Sequence, residues 1–320
     1  MTELAPSTLA PCTPDPQTWK LTLAYDGTEF SGWQVQPGER TVQGELQAAL
    51  GRIAGESPLP QGSGRTDAGV HALAQVASFT LAAPIPAENL QRALNRTLPA
   101  SIRILEARRV RSAFHARHSA VAKTYEYRVF LEKSGPRSED RSEDRQPSRI
   151  CPPFLAPYVF AYPWPLDAAA LDEAARAFVG EHDFLSFAAT DPDRTARGLD
   201  SEGSRDEQRE RQGRLQDEFE ANPHAGLEER RRTTIRTVFS SNWERQRCAD
   251  GDLLVYRVRG NGFLHHMVRN LVGTQLDVGR GRLQATRIPA MIAARARAAA
   301  GPTAPARGLF LHSVEYDGAE

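Results

Sequence analysis

The stretch of the sequence best suited to chemistry is a glycine-framed loop at residues 62–71, with the sequence Gly-Ser-Gly-Arg-Thr-Asp-Ala-Gly-Val-His. Its glycines free the backbone for tight turns and for a close approach to a ligand. A single carboxylate, Asp67, lies among them, and such a carboxylate can act as a nucleophile or as a base. The alternating apolar residues 73–79 that follow predict a strand. Asp67 is therefore expected in a loop next to regular structure, where catalytic groups are often placed.

Two other interpretations of this loop have to be considered. A P-loop requires a lysine followed by Ser or Thr, but this loop has no lysine, and Asp67 would repel a phosphate group. The glycine spacing does not match the dinucleotide-binding fingerprint either. A purely structural alternative remains, in which Asp67 caps a turn and Arg65 is its partner on the surface.

Arg269 is a second candidate residue, in the segment 263–278, whose apolar residues recur at helical spacing. His265 and Arg269 are four residues apart and would lie half-buried at the margin of the apolar face. A buried guanidinium needs an acidic partner, because an unpaired buried charge is costly. The helical periodicity alone favours an exposed salt bridge of Arg269 at the rim of the apolar face. His265 and His266 are adjacent rather than four apart, which argues against a helical pair of metal ligands.

Tyr125 lies in a stretch, 123–131, in which residues alternate as they do in a strand. Tyr125, Tyr127 and Val129 would share one face of that strand. Packing in the core or against a neighbouring strand is the usual role of such a tyrosine.

The apolar patterns outside the charged segments divide the chain into two similar halves. Each half has the order strand, helix, strand, strand, helix, strand of a ferredoxin-like unit. In the first half these elements are expected at 18–25, 41–54, 57–63, 73–80, 86–97 and 101–109, with Thr41 as the N-cap of the first helix. In the second half they are expected at 122–131, 167–179, 233–246, 251–260, 263–278 and 308–316, with an extra helix near 286–299. We predict a flexible N-terminus at 1–17, an N-terminal domain at 18–110 that carries the loop, and a C-terminal domain at 111–320.

Two segments lack the apolar residues that a core requires. Residues 133–149 contain a tandem Ser-Glu-Asp-Arg repeat, and residues 190–232 carry many charges and more acidic than basic side chains. Such segments bury too little apolar surface to offset the loss of chain entropy, so we predict that both are mobile insertions. The whole chain has a net charge of 0, so the rest of it is mildly basic. A phosphate-binding surface would therefore have to come from local clustering of basic residues.

Length and composition limit the number of domains, the kinds of cysteine site and the location of the protein. A chain of 320 residues can form one large or two moderate domains. Its three cysteines, Cys12, Cys151 and Cys248, are odd in number and far apart, which indicates neither a disulfide framework nor a thiolate zinc site. No apolar run is long enough to span a membrane, and the proline-rich start lacks the core of a signal peptide. The cytoplasm is the expected location.

The loop at 62–71 resembles the active-site signature of the tRNA pseudouridine synthase A family. Further blocks that resemble the family occur in the expected order, at 25–27, 30–36, 41–43, 94–99, 114–117, 123–127 and 261–270. The resemblance covers roughly 20–132, 154–188 and 232–316. It implies an α+β fold in which the two ferredoxin-like halves join into one extended antiparallel sheet flanked by helices.

The resemblance also implies an activity, the isomerisation of uridine to pseudouridine at positions 38, 39 and 40 of the tRNA anticodon stem-loop. This reaction involves no redox change and no group donor, so no cofactor and no metal are expected. The target base must first leave the stack. A carboxylate then attacks C6 of uracil or C1′ of the sugar, and the sequence leaves both possibilities open. A homodimer is implied, with one tRNA in contact with both subunits.

Four residues of this chain take their roles from the resemblance. Asp67 is the catalytic residue, and Arg269 is its partner, which keeps the carboxylate ionised and fixed in direction. Tyr125 stacks on the target uracil and helps to remove the proton from C5. Arg65 fills the space that the flipped base leaves.

Two rival functions come from other classes of protein. Residues 191–195 match Asp-x-Asp-x-Thr, the nucleophile motif of haloacid-dehalogenase-type phosphatases. That chemistry needs a downstream lysine, but no lysine follows Lys133, and the motif opens the charged segment 190–232. The second rival is a non-catalytic RNA-binding module built from two ferredoxin-like units. Such a module has no use for Asp67, and its usual aromatic motif is not evident.

Overall fold

The computed structural model describes residues 15–132, 150–189, 234–248 and 251–318. The expected insertions at 133–149 and 190–232 lie outside the described residues, and so does the Asp-x-Asp-x-Thr motif. Of the expected flexible N-terminus, 1–17, only the last three residues are described.

The first half contains all six elements that its sequence predicts. They are β1 (Gln17–Tyr25), α1 (Val42–Ala54), β2 (Gln61–Gly62), β3 (His71–Leu81), α2 (Ala87–Thr97) and β4 (Ile102–Val110). The main difference is in β2, which has two residues where a strand over 57–63 was expected. Helix α1 begins as predicted, because the Thr41 hydroxyl accepts a hydrogen bond from the backbone N–H of Gly44.

The second half contains the expected elements and two short additional strands. Its elements are β5 (Ala120–Leu131), β6 (Phe160–Tyr162), α3 (Ala168–Arg176), β7 (Gly180–Asp183), β8 (Ile235–Cys248), β9 (Gly251–Gly260), α4 (Met267–Gly279), α5 (Ile288–Ala293) and β10 (Leu309–Tyr316). The sequence patterns missed β6 and β7, which have only three and four residues. Helix α4 begins at Met267 rather than at residue 263, so that prediction was wrong by one helical turn. No described helix is both long and apolar enough to cross a membrane.

The strands form one large, mostly antiparallel sheet in the order β4-β1-β3-β10-β5-β9-β8-β7, with β2 beside β3 and β6 beside β5. Four main strands form each half, β1, β2, β3 and β4 in the first and β5, β8, β9 and β10 in the second. In each set the last strand lies beside the first, and the third lies between the first and the second. This is the arrangement of two ferredoxin-like units, and it confirms the predicted fold class. Apolar side chains of the sheet and the helices form the core, and the alternating residues Trp19, Leu21 and Leu23 of β1 are fully buried.

The halves meet where β10 runs parallel to the start of β3, with Phe310 opposite His71 and Leu311 opposite Ala72. The short strand β2 pairs with the same edge of β3, but only at Ser78 and Ala77. The two strands therefore occupy different parts of one edge of β3, with β10 at its beginning and β2 further along. The pairing of β10 with β3 joins the two halves into one sheet.

His71 is a buried polar residue at this junction, with a side chain that is 1% exposed. Its Nδ1 accepts a hydrogen bond from the backbone N–H of Gly27 at 3.1 Å. Its Nε2 lies 3.2 Å from the carbonyl oxygens of Pro157 and Arg307, which belong to the other half. The neutral ring with its proton on Nε2 satisfies all of these contacts. His71 thus ties the end of the glycine-framed loop to the second half.

Stability at the junction is expected to depend on pH through His71. Burial lowers the pKa of this imidazole below its usual value of 6.5, although the nearby Asp26 carboxylate opposes the shift. As the pH falls through 6.5, the unfolded chain binds this proton before the folded chain does. The stabilisation that the neutral His71 provides is therefore complete above pH 6.5 and is lost as the pH falls below that value.

Thermal unfolding of the parent and of His71→Gln, measured from about pH 8 to about pH 5, tests this expectation. The difference in Tm between the two proteins should shrink as the pH falls. The pKa of Glu126 is lowered by hydrogen bonds from Arg128 and Arg257 that outweigh its burial, so its stabilisation is lost at more acidic pH in both proteins alike. Parallel Tm curves would contradict the role of His71.

Candidate active site

The loop that carries Asp67 is fixed by backbone contacts with the segment after β1. The Thr66 carbonyl accepts a hydrogen bond from the Trp33 N–H at 3.1 Å, and the Gly69 N–H donates to the Phe30 carbonyl at 3.2 Å. Within the loop, the Val70 N–H donates to the Asp67 carbonyl at 3.1 Å and closes a turn. The Asp67 backbone therefore has a defined position.

Two side chains from other elements also form hydrogen bonds with the loop. The Tyr25 hydroxyl lies 2.7 Å from the Thr66 hydroxyl, beneath the loop. The Lys123 ammonium donates to the Ser63 carbonyl at 2.6 Å, across the junction between the halves. The sequence analysis missed Lys123 as a support of the loop. Its position two residues before Tyr125, on the same face of β5, was the signal that could have indicated it.

Gly32 is required by the close approach of these two segments. It has a φ of +92°, and a Cβ at this position would lie 2.5 Å from the Thr66 carbonyl oxygen, next to Asp67. Gly38 provides a matched control, because its φ is +76° and a Cβ there would meet nothing within 4 Å. Both alanine substitutions impose a left-handed conformation that costs about 1–2 kcal/mol.

We expect Gly32→Ala to lower turnover at least tenfold, since it moves the loop, whereas Gly38→Ala should lower only the stability. Turnover and Tm of both variants test this. Equal losses of turnover in the two variants would mean that the contact with Thr66 does not matter.

Arg269 reaches Asp67 from the first turn of α4. Its Nη1 donates to Asp67 Oδ2 at 2.9 Å, and its Nε donates to the Ala304 carbonyl at 2.8 Å. The two side chains are 16% and 19% exposed. The pair is thus largely buried, unlike the exposed salt bridge at a helix rim that periodicity alone favoured. Because the guanidinium has a second partner, its orientation toward the carboxylate is fixed.

His265 and His266 also face Asp67, contrary to the geometry that a helix over 263–278 would impose. His266 has a left-handed backbone with a φ of 57° and directly precedes α4, so neither histidine lies on the helix. Nε2 of His265 lies 3.6 Å from Asp67 Oδ1, and Nε2 of His266 lies 3.3 Å from Oδ2. Burial lowers the pKa of His266, although the Asp67 charge opposes the shift.

These three side chains are the candidate ligands for a metal ion. The ligand atoms of Asp67, His265 and His266 all lie within 4.8 Å of one another. The argument from helical spacing does not apply to this pair, because the two residues precede the helix. No spacing in the sequence indicates that adjacent histidines converge on one carboxylate.

Tyr125 lies beside the loop, with its hydroxyl next to Gly64. It is 8% exposed, and its ring contacts that of Phe263 edge to face at 5.1 Å. Burial raises its pKa well above the usual value, and the negative charge of Asp67 adds to the shift. The phenol therefore stays protonated at neutral pH.

Arg65 is exposed on the same loop, two residues before Asp67. The structure thus brings Asp67 and Arg269 into direct contact, places Tyr125 beside the loop and leaves Arg65 at the surface. A carboxylate held by a guanidinium in a partly buried site can act as an oriented nucleophile or base.

Comparison with known proteins gives consistent results. A family model described as tRNA pseudouridine synthase matches residues 22–119 and 219–317. The chain is 46% identical over 298 residues to tRNA pseudouridine synthase A from Solibacter usitatus, covering 93% of this chain and 98% of that protein. It is 39% identical to the protein of the same name from Bacillus pumilus and 41% identical to that from Moorella thermoacetica, with the same coverage.

Proposed function

Because the chain belongs to the tRNA pseudouridine synthase family and is an isomerase, we propose that it modifies uridines 38, 39 and 40 of the tRNA anticodon stem-loop through Asp67. The observation that carries this proposal is the contact between Asp67 and Arg269. The sequence contains many carboxylates, but this one combines partial burial, a rigid glycine-framed loop and a guanidinium 2.9 Å away. Those are the conditions under which an ionised carboxylate can be aimed at a substrate.

The reaction needs one nucleophilic carboxylate and a path for one proton. The N1–C1′ bond of uridine breaks, the uracil turns, and a C5–C1′ bond forms. The proton leaves C5, and N1 gains a proton, so atoms and electrons balance without a cofactor. Asp67 initiates this sequence by attack on C6 of uracil or on C1′ of the ribose. Both routes require an ionised and oriented carboxylate, so the contact with Arg269 serves either one.

Tyr125 and Arg65 complete the proposed site. The raised pKa of Tyr125 keeps its hydroxyl protonated in the free enzyme, which favours a stacking contact with the flipped uracil over a role as a ready base. Arg65 is exposed on the same loop, where it could enter the space that the flipped base leaves. The proposal also includes a homodimer, a tRNA in contact with both subunits, and a location in the cytoplasm, all of which come from family membership.

The experiment that tests the activity is tritium release from a tRNA transcript labelled at C5 of uridine, without added metal or cofactor and in the presence of EDTA. Pseudouridine formation replaces the C5–H bond, so one tritium is released for each isomerisation. We expect release from transcripts with uridine at 38, 39 or 40, and none when all three positions carry cytidine. Release from the cytidine-substituted transcript would overturn the proposed substrate positions. Binding without release would favour the RNA-binding module.

A further inference from the structure

Asp67, His265 and His266 form a compact cluster of a carboxylate and two imidazoles, and uridine isomerisation gives the imidazoles no assigned role. The two N–O separations in this cluster are 3.3 and 3.6 Å. In a tetrahedral zinc site, the metal lies about 2.0–2.1 Å from each nitrogen or oxygen ligand, so neighbouring ligand atoms lie about 3.4 Å apart. These two separations, which involve different oxygens of the carboxylate, are close to that value, and all the ligand atoms lie within 4.8 Å of one another. Small side-chain rotations would therefore let one ion contact all three groups.

We propose that Asp67, His265 and His266 form a binding site for one transition-metal dication of the zinc class, and that the bound ion inhibits the enzyme. Water would complete the coordination. The inhibitory part of this proposal rests on the proposed catalytic role of Asp67, whereas the binding part does not. The reaction itself needs no metal, so the site would be regulatory or a route of metal toxicity rather than a part of catalysis.

The backbone at His266 is what makes the cluster possible. Successive side chains on a helix or strand point in different directions. The left-handed conformation of His266 breaks that pattern, so the two imidazole rings lie with their centroids 4.0 Å apart and both face Asp67. A residue other than glycine is uncommon in this conformation, and residues held in such conformations cluster at active sites and ligand-binding sites.

The ligand set and its surroundings predict which ions bind. Imidazole suits Zn²⁺, Co²⁺, Ni²⁺ and Cu²⁺, whereas Mg²⁺ and Ca²⁺ prefer oxygen ligands. Arg269 contacts Asp67 Oδ2, which leaves Oδ1 as the oxygen nearer to His265 for a metal. The guanidinium also neutralises the carboxylate, so most of the affinity must come from the imidazoles. Removing this competing cation should tighten metal binding.

The test uses the full chain after treatment with EDTA and dialysis. Co²⁺ is titrated while its visible absorption is recorded, and Zn²⁺ is then added to displace it. We expect one ion per chain, and at least a tenfold loss of affinity in both His265→Ala and His266→Asn. Asparagine is chosen at position 266 because it tolerates the left-handed conformation. Arg269→Met should bind Co²⁺ several-fold more tightly than the parent.

The control variant is His118→Ala, because His118 and His115 form another close pair, with ring centroids 4.1 Å apart. Its affinity for Co²⁺ should equal that of the parent. Thermal unfolding of every variant in EDTA shows whether it is folded. For a variant that is not folded, His265→Gln or His266→Gly takes its place, with the same expected loss of affinity. No Co²⁺ absorption, unchanged affinity in the site variants, or loss of binding in His118→Ala would overturn the site.

Inhibition is measured as tritium release at increasing Zn²⁺. Turnover should fall over the same range of concentrations in which Zn²⁺ displaces Co²⁺, and excess Mg²⁺ should have no such effect. If the ion binds as expected but turnover is unchanged, the inhibitory part is wrong and Asp67 is not the catalytic residue. An enzyme that is inactive even in EDTA would instead overturn the proposed function, while the absorption data would still decide the metal site.

Discussion

Replacing Asp67 with asparagine is expected to abolish pseudouridine formation while tRNA binding stays nearly intact. Asparagine keeps the shape of the side chain and much of its hydrogen bonding, but it removes the negative charge and the nucleophilic oxygen. The reaction requires such an oxygen, and neither route to the intermediate is available without it. Contacts with phosphates dominate the affinity for RNA, and a carboxylate does not make them, so the affinity and its dependence on salt should survive.

The measurement combines tritium release with a binding assay at two salt concentrations. Glu88→Gln is a suitable control, because it makes the same chemical change at a side chain that is 89% exposed, and it should release tritium at the rate of the parent. Residual isomerisation by Asp67→Asn within about tenfold of the parent corresponds to a loss of only ~1.4 kcal/mol of transition-state stabilisation. That outcome would remove Asp67 from the catalytic role.

Replacing Arg269 with methionine is expected to lower kcat by a hundredfold or more, about 2.7 kcal/mol. The change leaves the partly buried Asp67 carboxylate without its cationic partner, and such breaks are strongly destabilising when the remaining charge is buried. The carboxylate also loses the group that fixes its direction. Arg269→Lys should be milder but not neutral. Lysine keeps the charge, but it lacks the planar fork that contacts both Asp67 and the Ala304 carbonyl.

Steady-state kinetics separate this effect from a loss of RNA binding. A residue that orients Asp67 should change kcat far more than KM. Arg282→Met is the control, because Arg282 is 59% exposed and lies 3.7 Å from Asp277, beyond the far end of α4. A long contact made by an exposed guanidinium contributes little, so the control should be near the parent in both kcat and stability. A similar kcat in Arg269→Met and Arg282→Met would show that Arg269 has no special role.

The elements of the fold could be predicted well where the sequence pattern is local. The apolar stripe and the Thr41 cap of α1 depend on residues within one or two turns, and the helix begins where the sequence indicates. Two predictions differ from the structure. The expected strand at 57–63 is reduced to Gln61–Gly62, because only these two residues pair with β3. Helix α4 begins at Met267 instead of residue 263, because His266 has a left-handed backbone conformation, and its side chain faces Asp67.

The sequence by itself determined that Asp67 lies in a glycine-framed loop and that the chain is made of two similar halves. Both depend on residue types at short spacing, which act through local backbone freedom and the periodicity of burial. The resemblance implied that Arg269 is the partner of Asp67, but only the tertiary structure shows how Arg269, 202 residues away along the chain, donates to Asp67, and that two adjacent histidines meet the same carboxylate. These contacts arise where β3 pairs with β10 and brings the two halves together. That pairing is set by which strand edges remain free after each half has folded, and no pattern along the chain encodes it.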